Sequence, residues 1–182
     1  EIRLSLVGSE MCIRDSIGVS DNYPTGPAGW GVAIAQLYAT TDVPWFMKNN
    51  RNMWEEPGTK AEYRSVNTQM LGLVIQKVTG KTLSEEFTTR IWQSIGADND
   101  ATWNVDHVGG YEKAFCCFNA TARDYARVGE ALMSGTPRIA SAAWTARLST
   151  PAVNLDYGWG YSAQMWHLSL IHISEPTRLR RI

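Results

Sequence analysis

Tyr63 is the residue of this chain whose type and setting could support acid–base chemistry. It stands in a short loop that leads directly into a predicted helix, residues 67–79. A tyrosine hydroxyl titrates near pH ~10, so it serves as a general base near neutrality only where positive neighbours stabilise the phenolate. Taken alone, the residues around Tyr63 favour a structural tyrosine with a hydrogen-bonded hydroxyl.

The chain contains no familiar nucleophile motif to accompany this tyrosine. It has no G-x-S-x-G turn, and no serine is followed three places later by lysine. Thr79-Gly80-Lys81 holds the residues of a K-T-G motif in a different order. A phosphate-binding glycine loop, H-E-x-x-H and C-x-x-C are also absent from the sequence.

A metal site would have to use His107, Cys116 and Cys117, with His167 as an optional fourth ligand. Adjacent cysteines do not easily converge on one tetrahedral ion, so the sequence predicts neither a metal nor a cofactor. Adjacent cysteines also rarely pair with each other, and we expect Cys116 and Cys117 to be buried apolar thiols. The H-x-G triplet at His107 occurs late in some serine hydrolases, but its glycine-rich setting predicts a surface turn here.

Composition narrows the classes of partner. A formal net charge of −1 gives no basic footprint for nucleic acid. No apolar run approaches the roughly 20 residues of a membrane-spanning helix. The apolar content of 44% and eight tryptophans are sufficient for a packed core. The three cysteines do not suggest a disulfide framework, so both a periplasmic and a cytoplasmic location stay open. The sequence does not fix the oligomeric state.

The two ends of the chain are related to each other. Residues 1–16 and residues 168–182 can be encoded by opposite strands of one inverted DNA repeat that resembles a sequencing adapter. The alternative is two natural tails that have this complementarity over their whole length. We expect both ends to be adapter-derived tails, and residues 17–167 to be a genuine segment that is open at both ends.

Helical patterns dominate the middle of this segment. Apolar residues at helical spacing predict the buried face of helix 67–79: Leu71, Val74, Ile75 and Val78. Lys77 and Gly80 form a C-terminal signal. Thr82 and Glu85 predict a capping box for a second helix, whose buried face would be Leu83, Phe87 and Ile91.

The remaining predicted elements lie towards the end of the segment. Thr121 and Asp124 predict another helix start, with Tyr125, Val128, Leu132 and Met133 at helical spacing and Gly135 as its end. Ser141 predicts a cap for a helix through Leu148. Residues 157–167 alternate with a period of two, which is typical of a strand. The segment thus runs from a helical region into the beginning of a sheet.

Three stretches, taken in order, resemble the serine β-lactamase-related family. They are PGTKAEYRSVNTQMLGLVIQKVTGKTLSE, IWQSIGADNDATWNVDHVGGYEKAFCCFNATARDYARVGEALMSG and LDYGWGYSAQMW. The family includes class C β-lactamases, D-alanyl-D-alanine peptidases, related esterases and 6-aminohexanoate-dimer hydrolase, and AFCCFNATARDYAR most resembles the last. The resemblance covers nearly all of residues 17–167.

This resemblance implies an α/β (α+β) fold of the β-lactamase/transpeptidase type, represented here mainly by its helical region and the start of its antiparallel sheet. The site would lie in the cleft between the two regions. The implied reaction is acyl transfer: a serine in S-x-x-K attacks a carbonyl, while the lysine and a tyrosine move protons. An oxyanion hole stabilises the tetrahedral intermediate.

By this resemblance, Tyr63 matches the tyrosine of the family's Y-x-N or Y-x-S motif and Ser65 its third residue. Ser65 would contact substrate or cap the following helix, with Asn67 as a rival cap. The S-x-x-K and third motifs would lie outside residues 17–167, so we expect this chain itself to be inactive. The implied partner is a small-molecule amide or ester substrate. Two alternatives are a penicillin-binding module without turnover and a structural helical domain with an incidental tyrosine.

Overall fold

The computed structural model describes Val19, Asp21 and residues 31–52, 63–133, 139–154 and 159–168. Its helices are α1 (Val32–Ala39), α2 (Val43–Asn49), α3 (Ser65–Thr79), α4 (Leu83–Phe87), which continues as a π-helix (Thr88–Trp92), α5 (Ala122–Met133) and α6 (Ala142–Ser149). Its strands are β1 (Thr102–Trp103), β2 (Phe118–Asn119), β3 (Val153–Asn154), β4 (Trp159–Ser162) and β5 (Met165–Leu168). An antiparallel pair, β1–β2, and an antiparallel meander, β3–β4–β5, accompany the helices.

The main hydrophobic core lies between α1, α2 and the first turn of α3. Its buried members are Val19, Ile34, Leu37, Val43, Phe46, Met47 and Val66. At its edge the rings of Tyr38 and Phe115 meet almost perpendicularly, with centroids 4.9 Å apart. This core fixes the start of α3 and therefore the backbone that follows Tyr63.

Helix α2 is an element that sequence analysis did not identify. Asp42 caps it by accepting a hydrogen bond from the Trp45 backbone N–H at 2.9 Å, and Pro44 occupies its first turn. The distant Asp106 carboxylate accepts from the Val43 N–H at 2.8 Å. The Asp42–Pro44 pair was the available local signal.

Helix α3 begins two residues earlier than predicted and ends at Gly80, whose φ of 70° is left-handed. The predicted buried face is wrong, because Ile75 is 44% exposed and Val78 67% exposed. The buried side instead comprises Ser65, Val66, Asn67, Gln69 and Gly72. The apolar period identified a helix correctly but not the surface against which it packs.

The hydrogen bonds of Gln69 explain how a polar side of α3 can face the protein interior. Its Nε2 donates to the Glu112 carbonyl at 3.1 Å, and its Oε1 accepts from the Ala114 N–H at 2.8 Å. Both ends of the buried amide are thereby satisfied, which removes most of the cost of its burial. These bonds hold residues 112–114 against α3.

Gly72 lies at the same contact, and its substitution tests the packing. A Cβ at this position would stand 2.6 Å from the Ala114 Cβ and 3.1 Å from the Leu83 Cδ1. We expect Gly72→Ala to lower the free energy of unfolding by about 1–3 kcal/mol, as overpacking does. Gly129→Ala is the matched control in α5, where nothing lies within 4 Å of the added carbon. Urea unfolding should show Gly129→Ala to be neutral or stabilising by about 0.5–1 kcal/mol; equal effects of the two variants would contradict this packing.

The start of α4 confirms the predicted capping box. The Thr82 Oγ1 accepts from the Glu85 N–H at 3.1 Å, and the Glu85 carboxylate accepts from the Thr82 N–H at 2.8 Å. The buried Glu112 carboxylate also accepts from the Ser84 N–H at 2.9 Å. A carboxylate from another segment thus assists the local cap, as favoured at a helix N-terminus.

The predicted start of α5 is also observed. The Asp124 N–H donates to the Thr121 Oγ1 at 3.2 Å, and Asp124 is completely buried. Its carboxylate accepts further hydrogen bonds from Asn99 Nδ2, the Asp98 backbone N–H, Thr121 Oγ1 and Arg127 Nη1. The bonds from Asn99, Asp98 and Thr121, with Arg127, hold the pKa of Asp124 well below its usual range, although burial acts in the opposite direction.

This depressed pKa predicts a loss of stability in acid. A carboxyl with a lower pKa in the folded chain stabilises the fold above its unfolded pKa of about 3.9, and that stabilisation is lost as the pH falls towards the folded pKa. Melting temperatures measured from pH 6 to pH 2 should therefore fall below about pH 4. Asp124→Asn should melt lower at pH 6 and show a flatter acid limb. The exposed Glu130→Gln is the control; a limb unchanged by Asp124→Asn would refute the assignment.

The predicted strand at residues 157–167 is instead part of a hairpin. β4 and β5 are joined by a two-residue turn, Ala163-Gln164, in which both residues have left-handed φ values of 37° and 74°. Alternation continues through such a turn, so the period does not reveal the reversal. Residues 155–158 lie outside the described chain. Before the hairpin, Ser141 caps α6 as predicted, accepting from the Trp144 N–H at 3.2 Å.

Two of the apolar residues at helical spacing in α5 are exposed. Tyr125 and Met133 in α5 are 46% and 54% exposed, so they are not on its buried side, and Gly135 lies outside the described residues.

Cys116 and Cys117 form a disulfide, which corrects the expectation of unpaired thiols. Their Cα atoms are 3.7 Å apart, and the left-handed φ of 68° at Cys117 marks a local turn that no sequence pattern had predicted.

The triplet from His107 forms a surface turn, as predicted. Val108 is 98% exposed, and Gly109 has a φ of 75°. Asp106 secures the turn from inside by accepting the backbone N–H groups of His107 and Tyr111, both at 2.8 Å. This arrangement accounts for the triplet by loop geometry.

Candidate active site

Tyr63 lies immediately before α3 and packs against one face of the β4–β5 hairpin. Its ring centroid is 4.9 Å from that of Trp166 and 5.9 Å from that of Tyr161. Tyr161 and Trp166 are directly opposite each other in the antiparallel register, so their side chains share a face. Neither had been predicted as a site residue. Tyr63 is half-buried and does not belong to the main core.

The hairpin face beside Tyr63 is aromatic and partly open. Tyr161 is only 2% exposed, whereas Trp166 is 47% exposed. Trp159 meets Trp166 perpendicularly, with ring centroids 5.9 Å apart. The half-exposed indole and the neighbouring tyrosine offer two kinds of contact. The indole is suited to an apolar chain, and a tyrosine hydroxyl is a group that can donate or accept a proton.

Gln164 joins the hairpin to the helix that follows Tyr63. Its Oε1 accepts one hydrogen bond from the Tyr161 hydroxyl at 3.1 Å and another from the Thr68 Oγ1 of α3 at 2.9 Å. Left-handed backbone at a non-glycine residue is uncommon, and here it aims this amide at the helix. The hairpin and α3 are thereby held together on either side of Tyr63.

Ser65, the second residue taken from the sequence, begins α3 and is only 4% exposed. Its hydroxyl and its backbone N–H both donate to Asp21 Oδ2, at 2.6 and 2.8 Å. Asp21 therefore supplies a carboxylate cap from 44 residues away, and no local pattern could have indicated it. Asn67 is buried in the first turn. A substrate contact by Ser65 stays a prediction.

Ser162 and His167 resemble a serine–histidine pair but do not form a nucleophile. The Ser162 Oγ lies 2.5 Å from His167 Nε2 and 2.9 Å from the Leu148 carbonyl. A hydroxyl has one hydrogen, and a carbonyl can only accept, so when Ser162 donates to Leu148 the imidazole must donate to the serine. Ser162 is also completely buried, on the hairpin face opposite Tyr161.

Within the described ranges, no three His, Cys, Asp or Glu side chains group closely enough to hold a metal ion. Among the same residues, no helix has the length and apolar character to cross a membrane. The predicted tails at 1–16 and 168–182 are outside these ranges, apart from Leu168 at the end of β5.

The chain is similar to a family profile and to a known enzyme sequence. The profile of the beta-lactamase family matches residues 33–172. A 6-aminohexanoate-dimer hydrolase from Paenarthrobacter ureafaciens is 39% identical over 74 residues, which are 41% of this chain and 19% of that protein.

Solved structures extend the similarity to the fold. A putative 6-aminohexanoate-dimer hydrolase from Bacillus anthracis gives a TM-score of 0.65 at 27% identity, covering 83% of this chain and 45% of that one. A penicillin-binding protein from Bacillus halodurans gives 0.61 at 18% identity, covering 86% and 56%. The chain therefore spans about half the length of these two structures.

Proposed function

Because the chain belongs to the beta-lactamase family, as its sequence resemblance predicted, we propose that the complete protein is a serine hydrolase of amide or ester bonds. The observation that supports this role most directly is the position of Tyr63, half-buried between the start of α3 and the partly open aromatic face of the hairpin. In this proposal Tyr63 is the general acid–base of acyl transfer.

The proposed reaction proceeds through an acyl-serine. The Tyr63 phenolate accepts the proton of a serine hydroxyl while the serine oxygen bonds to the substrate carbonyl carbon. The protonated tyrosine returns that proton to the leaving amine or alkoxide as the carbon–heteroatom bond breaks. Water then attacks the ester, releases the acid and regenerates the serine. The serine and the lysine that stabilises the phenolate belong to an S-x-x-K segment, which the 182 residues do not contain.

The substrate of this proposal is a small amide or ester. The two relatives named as 6-aminohexanoate-dimer hydrolases favour an amide between short linear units. Trp166, 47% exposed beside Tyr63, supplies an apolar surface on which the methylene groups of such a chain could lie.

Expression of the complete gene beside the 182-residue chain tests the proposal. We expect the complete protein to hydrolyse p-nitrophenyl esters and short oligoamides, and the 182-residue chain to show no turnover above buffer. Stable acylation without release would instead assign a penicillin-binding module. A complete gene without S-x-x-K, or equal turnover by the short chain, would overturn the proposal.

A further inference from the structure

A pocket that is distinct from the site around Tyr63 lies beside the π-helix. It has a volume of about 390 Å³ and is lined by four half-buried aromatic rings and one exposed carboxylate: Phe87, Trp92, Trp103, Phe118 and Asp100. We propose that this aromatic pocket binds a small organic cation bearing an alkylated ammonium group. It shares no lining residue with the Tyr63 site.

The π-helix is what places two of these rings together. In an α-helix, residues five apart point about 140° away from each other. Hydrogen bonding from residue i to i+5 makes a wider turn, which brings such residues close to one face. Phe87 and Trp92 are five apart, and their ring centroids are 5.8 Å apart. The Gln93 N–H donates to the Thr88 carbonyl at 3.0 Å, in the i+5 pattern.

Both indoles are fixed by hydrogen bonds directed to backbone carbonyls. Trp92 Nε1 donates to the Asn99 carbonyl at 2.9 Å, and Trp103 Nε1 donates to the Cys116 carbonyl, also at 2.9 Å. The N–H is the only polar group of an indole, so these rings offer apolar and π surface to a ligand. Phe118 packs between them, with centroids 5.5 Å from Trp92 and 5.3 Å from Trp103.

Charge selects the ligand class. The other polar lining groups are the hydroxyls of Ser84, Thr88 and Thr102, and none of the described Lys, Arg or His residues lines the pocket. Within the part of the chain that the structure describes, Asp100 has no ion pair or side-chain hydrogen bond. Ring faces attract a cation, and a nearby carboxylate adds to that attraction. A neutral apolar ligand gains neither, and an anion is repelled.

A titration with two isosteric probes tests this assignment. The 182-residue chain is titrated with choline and, separately, with its neutral analogue 3,3-dimethylbutan-1-ol, while two-dimensional NMR follows the indole N–H signals. We expect choline to shift the Trp92 and Trp103 signals saturably and to bind about 5–30-fold more tightly than the alcohol.

Two variants separate the contributions of charge and ring. Asp100→Asn, a change at an exposed side chain, should weaken choline binding about two- to fivefold. Trp92→Leu, which removes one of the four rings, should reduce the preference for choline over the alcohol. Glu130→Gln, an exposed acid that does not line the pocket, should change nothing. Equal binding of the two probes, an unchanged affinity in Asp100→Asn, or absence of saturable shifts would each overturn the proposal.

Discussion

Tyr63→Phe in the complete protein is expected to lower kcat/KM by about 10²–10⁴-fold, the usual contribution of a positioned general acid–base group. Phenylalanine keeps the ring that packs on Trp166 and Tyr161, with centroids 4.9 and 5.9 Å from that of Tyr63. The variant should therefore fold like the parent, and the loss should appear in kcat. Steady-state kinetics with a p-nitrophenyl ester measures it.

Tyr161→Phe is the matched control, because it removes a tyrosine hydroxyl from the same aromatic cluster. That hydroxyl donates to Gln164 at 3.1 Å from a side chain only 2% exposed. Its loss removes one structural hydrogen bond, so kcat/KM should fall less than about tenfold. Full activity in Tyr63→Phe, or equal losses in the two variants, would show that the Tyr63 hydroxyl has no catalytic role.

Phe46→Ala is expected to lower the free energy of unfolding by about 3–5 kcal/mol. Phe46 is 2% exposed and belongs to the core that α1 and α2 form with Val66 of α3. The truncation removes the buried ring and leaves a cavity that its neighbours fill only in part. Urea unfolding followed by far-UV circular dichroism measures the change.

Trp45→Ala provides the comparison for Phe46. The two residues are neighbours in α2, but Trp45 is 60% exposed. Its truncation should change stability by less than about 0.5–1 kcal/mol. If Trp45→Ala were as destabilising as Phe46→Ala, the buried side of α2 would have been assigned wrongly.

Local signals in the sequence predicted the ends of several helices well. The Thr82–Glu85 capping box, the Ser141 cap and the left-handed Gly80 are all present in the structure. Each of these signals acts between residues that are at most four apart, so a single sequence contains everything that decides it. The family and the fold class followed from motif resemblance and are confirmed by the comparisons.

Contacts between distant residues could not be predicted in this way. Asp21 reaches Ser65 across 44 residues, and Asp106 reaches Val43 across 63. Both carboxylates cap helix N-termini. The residue before α3 supplies no side-chain cap of its own, and at α2 the local cap Asp42 binds the Trp45 N–H and not that of Val43. The buried side of α3 depends likewise on Gln69 meeting residues 112–114, so its apolar stripe was assigned to the wrong surface.

The same distinction between local signals and contacts of distant residues applies to the candidate site. Tyr63 was predicted as a site residue because the resemblance gave its loop a role. The aromatic wall of Tyr161 and Trp166 depends instead on the hairpin register. Alternation over residues 157–167 predicted extended backbone but not its reversal at Ala163-Gln164. A two-residue turn without Gly, Asn or Asp lacks the usual hairpin signal.

The most direct test of the central claim is the rate at which the complete protein forms an acyl-enzyme, measured by rapid quench and intact-mass spectrometry with an activated ester. We predict a covalent adduct on the serine of an S-x-x-K motif, formed at least about 100-fold more slowly in Tyr63→Phe. Equal rates of acylation in the two proteins, or hydrolysis without any covalent adduct, would contradict the account.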